Sequence, residues 1–131
     1  MGWEQFCGVL GDGRQFGRKT QFAPNFALLE RWMNLGRFAL ASVRPDDAAF
    51  EAQRYWRGPV WPHLNWMIAE GCAHYGRHDL SDRLRADTRA LIEDKGFYEY
   101  FNPLTGEAYG APAFSWSAAV ILHWVLAACR T

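Results

Sequence analysis

The chain reads as an all-α protein built from antiparallel helical hairpins, and three observations point that way. Apolar residues recur at helical spacing in four stretches, and Pro and Gly fall where helices begin and end. No stretch alternates polar and apolar residues for long enough to suggest a strand. The loops between the helices are irregular and rich in aromatic residues.

Taken in order, residues 8–18 hold four glycines among scattered charges and read as a loop within a flexible start covering residues 1–20. Pro24 or Asn25 opens a first helix through about Arg37, with Phe26, Leu29, Met33 and Phe38 near one face. Residues 42–54, with Pro45, Asp46 and Asp47, form a polar connector. Pro62 suits the first position of a second helix, which runs from about His63 to Tyr75 and stops at Gly76. Its apolar side is Leu64, Met67, Ile68 and Cys72. Asp79 or Ser81 caps a third helix to about Lys95, before Gly96, with Leu80, Leu84, Leu91 and Ile92 inward. Asp79–Arg83 and Arg89–Glu93 are spaced for pairing on its outer face. Residues 97–114 form a long loop, and Ser115 caps a last helix to about residue 129. That helix is apolar almost all round, so it needs neighbours on several sides. Three or four helices supply few, so the sequence reads as part of a larger helical assembly or as a chain that oligomerises, by self-association or with a complementing chain.

Composition excludes several classes of function. At 131 residues the chain is one domain. Lys and Arg number 14 and so do Asp and Glu, so no basic surface suggests nucleic acid. The apolar run at 113–129 is short for a membrane span and is interrupted by Ser115, Ser117 and His123. No targeting peptide opens the chain. Cys7, Cys72 and Cys129 are widely spaced and odd in number, and read as free thiols of a cytoplasmic protein. His63, His74, His78 and His123 form no metal-binding pattern, and neither a metal nor a cofactor is implied.

The motifs that carry chemistry are aromatic. Seven tryptophans occur in the chain, and Trp56, Trp61 and Trp66 crowd a stretch whose prolines break any helical stripe. Tyr55-Trp56-Arg57-Gly58-Pro59-Val60-Trp61 sets indoles beside a guanidinium, and Gly96-Phe97-Tyr98-Glu99-Tyr100-Phe101-Asn102-Pro103 sets a carboxylate among rings. Flat aromatic faces with a few charges suit a sugar ring, and a carboxylate among them suits cleavage of a glycosidic bond. Each residue also has a plainer reading. Glu99 is otherwise a solvated or Arg-paired carboxylate at a helix end. Arg57 either faces the ligand or pairs with a carboxylate in the core. Trp61 and Trp66 suit packing, Glu107 a solvated turn, and Asn102 the turn before Pro103.

These two motifs, followed by Phe114-Ser115-Trp116-Ser117-Ala118-Ala119, resemble the C-terminal part of glycoside hydrolase family 63 in order and spacing, from about Pro24 to Leu126. The resemblance implies an inverting α-glycosidase on an (α/α)6 toroid, acting on α-linked glucosides or mannosides. It implies Glu99 as the general base. Tyr55, Trp56, Arg57 and Trp61 fall in the segment that lines the sugar subsite, Tyr98 flanks the base, and Trp116 closes the pocket wall. Two departures stand out. The family's general acid is an aspartate in a Gly-x-Asp-Asn-Ser-Pro-like stretch, and none occurs here. Twelve helices also need on the order of 200 residues. The chain therefore reads as part of such a domain, bearing the base without the acid, and little hydrolysis is expected of it alone. The alternatives are a non-catalytic carbohydrate-binding helical module and a helical interaction unit whose aromatics are core.

Overall fold

The computed structural model describes residues 25–129, so Cys7, the loop at 8–18 and the proposed flexible start lie outside the described residues. Four helices and one small hairpin follow in the order α1 (Phe26–Leu35), α2 (Pro62–His74), α3 (His78–Lys95), β1 (Tyr100–Phe101), β2 (Ala108–Tyr109) and α4 (Ser115–Ala128). The expectation of a mainly helical chain in antiparallel hairpins holds.

α1 opens where Asn25 accepts the Leu28 N–H at 3.0 Å, a side-chain cap that satisfies one of the orphan donors of the first turn. Its buried face is Leu29, Trp32 and Met33. The helix stops at Leu35, short of Arg37, because the Arg37 and Phe38 amides turn to the Pro103 carbonyl at 3.0 and 3.3 Å. Pro62 starts α2, as its fixed φ and missing N–H allow. Met67, expected on the inner side of α2, is exposed, and Ala69 is buried in its place beside Leu64, Ile68 and Cys72. The three residues after His74 reverse the chain, so that α3 runs back along α2.

α3 begins at His78 rather than behind a cap at Asp79 or Ser81, and Asp79 sits in its first turn. Arg77 takes Asp79 at 2.6 Å and also binds Glu30 of α1, so the expected Asp79–Arg83 pair does not form. Arg83 instead donates to Asn34 at 2.7 Å and to the Met33 carbonyl at 3.2 Å, closing the end of α1 against α3. The Arg89–Glu93 pair forms as expected at 2.6 Å. Gly96, at φ 94°, ends the helix in a conformation that favours glycine.

One core cluster joins α1, α2 and the start of α3 through Leu29, Trp32, Met33, Leu40, Trp61, Leu64, Ile68, Leu80 and Leu84. A second lies under the loops, from Ala39, Val60, Leu91, Ile92 and Phe101. Asn65 fixes the chain between them. Its buried amide accepts the Leu40 N–H at 2.8 Å and donates to the Leu40 and Trp61 carbonyls at 3.0 and 3.1 Å.

The 97–114 loop is more ordered than its sequence suggested. β1 and β2 pair antiparallel, Tyr100 opposite Tyr109 and Phe101 opposite Ala108. Val60 bridges both Ala41 and Phe101. α4 packs on α2 and buries mainly Ser117 and Val120. Leu122, Val125 and Leu126 on its outer face are exposed. No helix among the described residues is long and apolar enough to cross a membrane.

Candidate active site

Three loop segments distant in sequence meet through their backbones. The Val60 amide donates to the Phe101 carbonyl at 2.8 Å, and the Phe101 amide returns a bond at 3.0 Å, tying the Tyr55–Trp61 stretch to the Glu99 stretch. The Phe114 amide donates to the Phe97 carbonyl and the Ser117 hydroxyl to the Tyr98 carbonyl, both at 2.6 Å, tying the Glu99 stretch to the start of α4. Each of these ties satisfies a backbone carbonyl or amide, groups that must find a partner when buried.

On this frame the aromatic rings form a continuous array. Trp56 stacks on Trp61 with centroids 4.0 Å apart and planes within 9°. Trp61 is buried, so it backs the platform, while Trp56 is 38% exposed. Tyr55 meets Trp56, Trp61 and Tyr100 edge-on at 5.6, 4.9 and 5.5 Å, and Tyr100 continues to Tyr109. At the other end His63 lies 4.7 Å from Trp116 and 6.2 Å from Trp56. Trp116 is half exposed.

Glu99 stands at the edge of this array. The Tyr55 hydroxyl donates to its Oε1 at 2.9 Å across 44 residues of sequence, and the Ala111 amide donates to its Oε2 at 3.3 Å. The Glu99 contact pushes the Tyr55 phenol above its ordinary value, because ionising the donor would end the bond and set two negative charges together. Tyr55 itself sits at φ 29°, an uncommon place for a residue with a Cβ. It is held there from both ends, as the Trp61 indole N–H donates to its carbonyl at 3.0 Å. Gly110, at φ 77°, passes so close that an added Cβ would stand 2.5 Å from Glu99 Oε2.

The other sequence-derived candidates lie apart from this contact. Arg57 is exposed and pairs with Glu51 at 3.2 Å, so it has the carboxylate partner of its plainer reading, but at the surface rather than in the core. Tyr98 is partly buried and packs on the cluster of Val60, Leu91 and Phe101. Asn102 shapes its turn as expected, accepting the Leu104 and Thr105 amides at 2.9 and 3.3 Å. His63 had no signal in the sequence beyond its place directly after Pro62. Tyr55 was a candidate for ligand contact, and its bond to Glu99 had no sequence signal. Among the described residues no group of His, Cys, Asp and Glu could hold a metal ion.

A helical scaffold thus holds one carboxylate against a tyrosine that packs edge-on to stacked indoles. Residues 15–117 match the family described as the mannosylglycerate hydrolase MGH1-like glycoside hydrolase domain, and the chain belongs to that family, within glycoside hydrolase family 63. It is 54% identical over 95 residues to a mannosylglycerate hydrolase of Thermus thermophilus, covering 72% of this chain and 23% of the relative. It is 37% identical over 86 residues to a glucosylglycerate hydrolase of Mycolicibacterium hassiacum, covering 66% and 19%. The crystal structure of a family 63 mannosylglycerate hydrolase from Thermus thermophilus in complex with glucose superposes with a TM-score of 0.72 at 53% identity, over 73% of this chain and 23% of that one. This chain thus spans roughly a fifth to a quarter of the length of the relatives it matches.

Proposed function

We propose that this chain supplies the general base and part of the sugar-stacking wall of an inverting α-glycosidase acting on α-linked glucosides or mannosides. The observation that carries the reading is the Tyr55–Glu99 bond beside the Trp56 platform, which fixes a carboxylate at the edge of a flat aromatic face. Two donors occupy Glu99, and a carboxylate has about four lone-pair sites, so acceptor capacity remains for a water. In this reading Glu99 takes the proton from that water, Tyr55 and the Ala111 amide aim it, and Trp56 and Trp116 stack the sugar. Trp61 supports Trp56 from behind, Tyr98 props the backbone of the base, and Arg57 stands at the rim.

An inverting reaction also needs an acid about 6.5–9.5 Å across the sugar. The family's aspartate motif is absent from the sequence, so in this reading the acid comes from the part of the domain that the matched relatives possess beyond this region, on the same polypeptide or on a complementing one. In this reading the same part of the domain covers the outer face of α4, where Leu122, Val125 and Leu126 stand exposed.

The test is complementation. The chain is mixed with a separately produced polypeptide carrying the rest of a family 63 domain, and mannosylglycerate cleavage is followed by NMR of the released anomer. Hydrolysis with inversion, reduced about 10²–10⁴-fold by Glu99→Gln, is the expected result. Activity indifferent to Glu99→Gln would remove the base assignment. A second reading, a non-catalytic carbohydrate-binding module, draws on the exposed rings of Trp56 and Trp116 without an acid in the chain. It predicts sugar binding lost on Trp56→Ala, unchanged on Glu99→Gln, and no hydrolysis in any mixture.

A further inference from the structure

An imidazole closes the aromatic array between its two exposed indoles. His63 is the second residue of α2, directly after Pro62, and no motif singled it out. Its ring meets three indoles edge-on, Trp116 at 4.7 Å and 76°, Trp61 at 5.7 Å and 80°, and Trp56 at 6.2 Å and 89°. Its Nδ1 is buried without a hydrogen-bond partner, and the ring as a whole is only partly buried, which leaves Nε2 as the outward nitrogen.

That geometry decides where the proton sits. A neutral imidazole has one N–H and one lone pair. An N–H on Nδ1 would be an orphaned buried donor, which folded proteins almost never tolerate, whereas an under-used acceptor is tolerated more often. The proton therefore belongs on Nε2, facing out between Trp56 and Trp116. Burial also holds the ring below the ordinary histidine value and so keeps it neutral.

Stacked indoles grip the apolar face of a sugar but do not tell one hydroxyl from another. A fixed donor at their edge does, since a site built to bond a particular hydroxyl rejects the isomer lacking it there. We propose that His63 is a specificity-determining residue of this site, donating its Nε2–H to one hydroxyl of a hexoside stacked on Trp56 and Trp116. The proposal rests on the sugar-site reading above and adds to it the residue that reads the hydroxyl pattern.

Imidazole NMR of the ¹⁵N-labelled chain tests it, with methyl α-D-mannopyranoside and methyl α-D-glucopyranoside as probes. Without sugar, His63 is expected as the Nε2–H tautomer, and the Nδ1–H tautomer would overturn the proposal. On titration, the His63 Nε2 resonance should move along the same saturation curve as the Trp56 indole N–H, more for one epimer than the other. Trp56 moving while His63 stays still would sink the role of His63 and leave the sugar site standing. Neither moving would sink both. His63→Phe keeps a flat ring among the indoles and removes the donor; it should weaken the preferred epimer about 5–10-fold and narrow the gap between the two. His63→Gln, which offers an amide N–H at a similar reach, should recover most of that loss. A His63→Phe chain that binds both epimers as the unaltered chain does would also overturn the assignment.

Discussion

Gly110→Ala is the sharpest probe of how Glu99 is held. At φ 77° the backbone of Gly110 lies in the left-handed region, where a Cβ costs about 1–2 kcal/mol. The new methyl carbon would also stand 2.5 Å from Glu99 Oε2, 2.6 Å from its Cβ and 2.9 Å from Tyr100 Cε1. An ordinary contact begins near 3.4 Å, so the carboxylate must retreat by about 0.9 Å. A retreat of that size along the bond would lengthen the 2.9 Å Tyr55–Glu99 contact past hydrogen-bonding distance. Two measurements follow. For a chain of this length the backbone cost alone lowers the melting temperature by about 4–8 °C, read by circular dichroism. Spectrophotometric titration, taken as the difference from Tyr55→Phe, reports the phenol. In the unaltered chain Tyr55 ionises above its ordinary value because Glu99 accepts its hydrogen bond. The stability from that contact is therefore present below about pH 10 and is lost as pH rises through the raised value. In Gly110→Ala the phenol should return toward about 10. An unchanged melting temperature together with an unchanged Tyr55 titration would refute the claim that Gly110 makes room for the carboxylate.

Two further outcomes test the frame beneath the site. Asn65→Ala strands the Leu40 amide and carbonyl in a buried place and should cost about 2–3 kcal/mol in urea denaturation, with an effect under about 0.5 kcal/mol counting against its bridging role. Cys72 is buried, and burial pushes its thiol up, whereas Cys129 is exposed. Under native conditions a maleimide should therefore modify Cys129 well before Cys72, as peptide mass mapping would show, and equal rates would contradict the packing of α2.

The helices were legible where local chemistry decides them. Pro62 at the head of α2, Gly76 and Gly96 after α2 and α3, and the inward Leu80, Leu84, Leu91 and Ile92 all act within a turn or two of chain. Expectation and structure part where a distant partner wins. Pro103 takes the amides that would have extended α1, and Arg77 takes Asp79 from Arg83. The strands escape notice because two residues are too few to alternate, and their pairing depends on Val60, forty-one positions from Phe101. The site was legible by residue type rather than by contact. Glu99, Trp56 and Trp116 declared an aromatic, carboxylate-bearing surface, but nothing local says that Tyr55 reaches Glu99. A lone histidine after a proline likewise has no pattern of its own.

This division says where the candidate site draws its precision. The helices bury the core, yet none of them directly presents the carboxylate. Glu99 lies just before a two-residue strand, and Phe101 of that strand exchanges backbone bonds with Val60. Val60 follows the Tyr55–Trp56 turn, whose carbonyl is held by the Trp61 indole. The carboxylate, the phenol that orients it and the indole platform are therefore fixed to one another through a short closed circuit of backbone and side-chain bonds. The circuit needs Trp61 buried, because its indole both supports Trp56 and anchors Tyr55. Trp61→Phe should accordingly disturb the site more than the core. It keeps most of the buried apolar area, but leaves the Tyr55 carbonyl without its donor and Tyr55 with only one of the two bonds that hold it at positive φ. The expected signature is a modest loss of stability, about 1–2 kcal/mol, with the Tyr55 titration shifted back toward about 10. A chain destabilised by about 3–5 kcal/mol with Tyr55 still raised would instead make Trp61 a core residue first, and the circuit would not be what orients Glu99.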